Sequence, residues 1–103
     1  MMVFTTPDDM GRAVSDWRTA GDTVCLVPTM GAIHDGHLAL VTAGKKAANR
    51  VVVSIYVNPT QFVAGEDFDS YPRNLQADQQ ALETAGGVDA IYAPPFMYRD
   101  QHA

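Results

Sequence analysis

Two histidines, His34 and His37, stand three apart inside Pro28-Thr29-Met30-Gly31-Ala32-Ile33-His34-Asp35-Gly36-His37-Leu38. On the first turn of a helix that spacing projects both rings from one side. Beside a triphosphate such imidazoles would be protonated or would donate hydrogen bonds. They could then steady the charge that builds on an α-phosphate under attack. Two other readings stay open: a pair of ordinary helix-start histidines, and a metal pair. The metal pair offers only two ligands, because the remaining histidine, His102, lies in the tail. A dinucleotide-binding loop is excluded, since no G-x-G-x-x-G is present.

The loop needs a strand before it and a helix after it. Val24 to Val27 is a compact apolar run ending at Pro28, which reads as a buried strand, and residues 36 to 49 read as a helix. In open α/β sheets ligands bind at that junction, where a helix start offers free N–H groups and a positive dipole end. Gly31 lets the chain turn there, and Gly36 would let a nucleobase or ribose approach the backbone.

The rest of the chain repeats the alternation. Met2-Val3-Phe4 suits a short strand, and Thr6-Pro7-Asp8-Asp9 a capped helix start. Met10, Ala13, Val14 and Trp17 follow at helical spacing, Trp17 as a core residue, with Gly21 as the stop. Val51 to Val57 is the strongest strand, nearly continuous and β-branched, as expected of a strand covered on both faces. Strand, helix and strand form one right-handed crossover unit. A helix over Leu75 to Ala85 and a strand over Val88 to Ala93 complete a βαβαβ pattern, with an unpaired edge expected at that last strand or at the first. The expected fold is a Rossmann-like open parallel α/β sheet with flanking helices, spanning residues 1–98 and followed by an unstructured tail at 99–103.

Composition sets bounds. At 47% hydrophobic and 18% charged the chain is of ordinary globular type. A net charge of −5 argues against nucleic acid and anionic membrane partners, though a local loop can still hold a phosphate. No run approaches the ~18 apolar residues of a membrane span. Nor does MMVFTTPDDM have the basic and apolar regions of a secretory signal, so cytoplasm is expected. The single cysteine, Cys25, sits in an apolar run and reads as a buried structural thiol.

His34-Asp35-Gly36-His37 resembles the H-x-G-H signature of the nucleotidyltransferase superfamily. The longer strings LVPTMGAIHDGHLALV and VVVSIYVNPTQF, with DFDSYPRN and VDAIYAPP, resemble the pantothenate synthetase (pantoate–β-alanine ligase) family over nearly the whole chain. The resemblance implies a two-step reaction with ATP and Mg²⁺, forming pantoyl adenylate and then, on attack by β-alanine, pantothenate. It implies that Met30, Gly31, Ala32, Ile33, His34, Asp35, Gly36 and His37 form the near side of the ATP site. His34 and His37 would contact phosphates, with the catalytic role at His37. Asn58 and Gln61 would hold pantoate and border the β-alanine path. It implies a homodimer or larger assembly, with Tyr71 among the contributors. Family members are far longer and draw further nucleotide-gripping residues from sequence absent here. The chain is therefore expected to be an excised, truncated or degenerate part of such an enzyme, inactive alone. Arg99, where the family has proline, and the paired Gly86-Gly87 depart from its pattern.

Overall fold

A computed structural model describes residues 1–56 and 75–94. The elements are β1 (Met2–Phe4), α1 (Pro7–Thr19), β2 (Val24–Thr29), α2 (Asp35–Ala47), β3 (Arg50–Ile55), α3 (Leu75–Ala85) and β4 (Ala90–Tyr92). All pairings are parallel, and the strand order is β1-β4-β3-β2. This is the expected open parallel sheet with flanking helices.

Alternation along β3 divides the core. Val51, Val53 and Ile55 face one side, where they meet Val27, Ile91, Val41 of α2 and Leu82 of α3. Val52 faces the other side and packs with Ala90 and Met10 of α1, with Trp17 and Val24 at the margin. Both faces of the central strands are therefore dry, which is why β3 is apolar without a break. Each fully buried side chain such as Val53, Leu82 or Ile91 contributes about 1.5–3 kcal/mol over its exposed state. Cys25 is partly buried and packs against the first cluster.

Local chemistry sets the helix starts. The Thr6 side chain accepts the N–H of Asp9 at 3.2 Å, Pro7 opens α1, and Asp8 and Asp9 lie at its positive end. At the amino end of the sheet Arg50 donates to Asp22 at 3.0 Å and Asp89 at 3.2 Å. Its guanidinium lies 5.3 Å from the Trp17 ring centroid. This clamp stands at the opposite end of the strands from the histidines.

Several boundaries differ from those expected. β2 continues through Pro28 to Thr29 because it is an edge strand. The backbone of Thr23 and of Thr29 bonds toward β3, through Arg50 N–H and Tyr56 N–H, both at 3.0 Å. Alternation then turns the nitrogen of Pro28 outward, where no ladder hydrogen bond is missed. β3 begins and ends earlier than expected, at Arg50 and Ile55. β4 is shorter, since Asp89 spends its carboxylate on Arg50 and on the Val51 N–H at 2.8 Å. β4 is also not an edge: it lies between β1 and β3, and the edges are β1 and β2. Val57 and the tail fall outside the described residues.

Candidate active site

The site starts where β2 ends. Thr29 is buried; its hydroxyl donates to the Ser54 carbonyl at 2.9 Å and accepts the Gly31 N–H at 3.2 Å. Gly31 at φ 93° and Ala32 at φ 55° then turn the chain through the left-handed region. Glycine does this freely, whereas alanine costs roughly 1–2 kcal/mol. The turn aims two consecutive amides at one group. The carboxylate of Asp78 on α3 accepts the N–H of Ala32 at 3.2 Å and of Ile33 at 3.0 Å. Consecutive N–H groups disposed in this way form an anion-binding nest, and here a buried side chain fills it.

His34 is the N-cap of α2, in extended conformation at φ −139°. Its Nδ1 accepts the N–H of Gly36 at 3.0 Å, while its own N–H donates to Nδ1 of His37 at 3.2 Å. The two rings stack with centroids 4.0 Å apart. Both Nδ1 atoms are acceptors, so each neutral ring carries its proton on Nε2. Partial burial, followed by repulsion from His34, holds His37 below the ordinary imidazole value of 6.5, and Asp78 partly opposes this. Two Nε2–H donors at the positive end of a helix suit a phosphate oxygen or a developing oxyanion.

The structure brings Met30 through His37 together as one turn and cap. Met30, Ala32, His34, Asp35 and Gly36 are exposed, Ile33 and His37 half-buried, and Gly31 buried. The room over Gly36 is used from within: a Cβ there would lie 2.9 Å from Cε1 of His34, so the missing side chain lets the capping ring fold back. Asn58 and Gln61 lie outside the described residues. Sequence reasoning missed Thr29 and Asp78. Asp78 had a visible signal: it stands three residues after Leu75 and four before Leu82, an acid on the apolar stripe of α3. Among the described residues no group of three His, Cys, Asp or Glu side chains is placed to hold a metal ion.

The family profile described as pantoate-beta-alanine ligase matches residues 2–100. The chain belongs to that family. Among its relatives, the pantothenate synthetase of Salinibacter ruber is 47% identical over 107 residues, covering 100% of this chain and 36% of that protein. That of Laribacter hongkongensis is 60% identical over 78 residues, covering 76% of this chain and 28% of that protein. The chain thus spans about a third of the length of these relatives. Among solved structures, the pantothenate synthetase of Thermus thermophilus matches with TM-score 0.70 and 43% identity, over 92% of this chain and 32% of that one. The pantoate-beta-alanine ligase of Francisella tularensis, complexed with beta-gamma ATP and beta-alanine, matches with TM-score 0.75 and 35% identity, over 97% of this chain and 38% of that one. No described helix is long and apolar enough to cross a membrane.

Proposed function

We propose that this chain is the ATP- and pantoate-binding part of a pantoate–β-alanine ligase. The reaction is adenylation of the pantoate carboxylate by ATP with release of pyrophosphate, followed by attack of the β-alanine amine to give pantothenate and AMP. The observation that carries the reading is the pair of Nε2–H donors fixed at the start of α2 by backbone N–H groups on both Nδ1 atoms. Attack by a carboxylate on the α-phosphorus needs no proton removed. The task left to His34 and His37 is therefore to donate to phosphate oxygens as charge accumulates, with His37 nearest the catalytic role. The ligand-bound Francisella ligase supports ATP and β-alanine as the small molecules concerned.

In this reading Met30 through His37 line the near side of the nucleotide. Asn58 and Gln61 receive pantoate, an amide being able to donate to a carboxylate and accept from a hydroxyl. Mg²⁺ arrives on the triphosphate as part of the substrate and neutralises charge there. The enzyme works in the cytoplasm as a homodimer or larger assembly.

The test is pantothenate formation from ATP, pantoate and β-alanine by the purified chain, with ATP titration followed by amide NMR. Turnover at least 10²–10³ below a full-length relative is expected, the cost of losing even one charge-stabilising donor. ATP should nonetheless shift the amides of Met30 to His37 first, at high-micromolar concentration or above. Shifts elsewhere with this turn silent would refute the assignment. The anion-facing histidine cap also fits a second reading, a nucleotide-binding module without chemistry. It predicts the same shifts and no turnover even when the remainder of a relative is supplied in trans.

A further inference from the structure

Asp78 lies on a helix remote in sequence from the histidines and belongs to neither the H-x-G-H tetrapeptide nor the substrate-facing segments. It is 6% exposed, and its two oxygens take separate backbone donors, Ala32 N–H on Oδ2 and Ile33 N–H on Oδ1. Oδ2 would also lie 3.3 Å from a Cβ at Gly31, so the carboxylate fills the concave side of the turn. Ile33 directly precedes the helix cap, and Ile33 and Leu38 both rest on the core cluster that contains Leu82 of α3. One side chain therefore ties the body of α3 to the turn that aims His34.

We propose that Asp78 is a positioning residue for phosphate binding, and that it acts in two ways. It fixes the left-handed turn that sets the direction of α2 and its histidine cap. By occupying the nest with an internal carboxylate, it also denies the Ala32 and Ile33 amides to the nucleotide. Phosphate is thereby directed to the Nε2–H groups at the positive end of α2. This inference rests on the ATP-binding reading above and deepens it.

Four measurements on the chain test it, using Asp78→Asn, Asp78→Ala and Asp78→Glu. Amide hydrogen exchange at Ala32 and Ile33 needs no ligand. Ala32 is exposed, so protection of its N–H reports the carboxylate, and Asp78→Asn should speed exchange about tenfold or more, as for loss of a charge-assisted hydrogen bond. Unchanged exchange overturns the contact. The ¹⁵N signals of the two imidazoles should leave the Nε2–H pattern in Asp78→Asn, and Mg·ATP titration should show affinity lowered about tenfold. Faster exchange with both imidazole signals and ATP affinity intact would mean that the carboxylate is structural only, which overturns the proposal. Partial recovery of imidazole signals in Asp78→Glu supports it. If Asp78→Asn does not fold, exchange in the wild type still decides, because a rapidly exchanging Ala32 amide overturns the contact. In Asp78→Ala the emptied nest should accept inorganic phosphate, with Ala32 and Ile33 amides shifting where the wild type is silent. Their silence in a folded variant counts against the nest. A wild-type chain unresponsive to Mg·ATP refutes the functional reading instead, and leaves the exchange and imidazole measurements to judge Asp78.

Discussion

The N–H of His34 donates to Nδ1 of His37 at 3.2 Å, while Nδ1 of His34 accepts from Gly36 at 3.0 Å. Backbone N–H groups of Gly36 and His34 thus hold the two functional candidates in one tautomer, and the helix cap and the phosphate-facing surface are a single object. Neither ring can be protonated on Nδ1 without losing a backbone hydrogen bond.

That coupling gives stability a pH dependence of known sign. The folded chain holds the His37 imidazole below 6.5, so folding favours the neutral ring. The associated stability is fully present above pH 6.5 and is lost as pH falls through the lowered folded value. Melting temperature measured from pH 7.5 down to 5 should decline, and the decline should be smaller in His37→Gln. A curve shared by both proteins would show that His37 does not report the cap.

Cap and phosphate contact can be separated at His34. His34→Asn keeps an N-cap acceptor and should stay within about 0.5 kcal/mol of wild type, whereas His34→Ala should lose about 1 kcal/mol. Both remove the Nε2–H donor, so both should blunt the ATP-induced shifts. Denaturant melts together with the NMR titration would decide. An ATP response retained in His34→Asn would show that capping alone matters.

Ala32, at φ 55°, predicts an asymmetric response. Ala32→Gly relieves the left-handed strain but adds freedom to the unfolded chain, so the net effect should range from neutral to about 1 kcal/mol stabilising. Ala32→Val should destabilise by about 1–3 kcal/mol, since a β-branched residue tolerates that conformation poorly. Equal effects from the two substitutions would argue that the turn relaxes.

Leu26 of β2 and Met30 just after it are 59% and 45% exposed, and the outer edge of β2 has no partner strand among the described residues. Exposed apolar side chains beside an open edge recruit another chain. Light scattering at micromolar concentration should show a dimer or larger species, and Leu26→Lys should shift it toward monomer. A wild type that remains monodisperse and monomeric at millimolar concentration would contradict this.

Much of the architecture was readable in the residues. Thr6-Pro7 marked the start of α1, the unbroken Val51 to Val53 run marked a doubly covered strand, and Leu75 to Ala85 matched α3 at both ends. What could not be read was lateral order. Pro28 looked like a strand stop because its tolerance depends on β2 lying at an edge, and strand neighbours are set by packing across the sheet. Of the site, the H-x-G-H stretch was legible because its residues are contiguous. Asp78 was not, because its partners are backbone amides 45 and 46 positions away, and amides leave no mark in a sequence.

The pairing of β1 with β4 sets an order of events during synthesis. Met2 is in register with Ala90, so the first strand must wait for almost the whole described chain before it finds its place. β2, α2 and β3, by contrast, are joined by short connections and can condense as soon as residue 55 is free, the more rapid kind of local assembly. The histidine-capped helix would then exist while Met2 to Phe4 remained unpaired, and β1 would be the last strand seated. A nascent chain would acquire its anion-facing turn in two stages: α2 and its cap first, then the lock from Asp78 when α3 emerges.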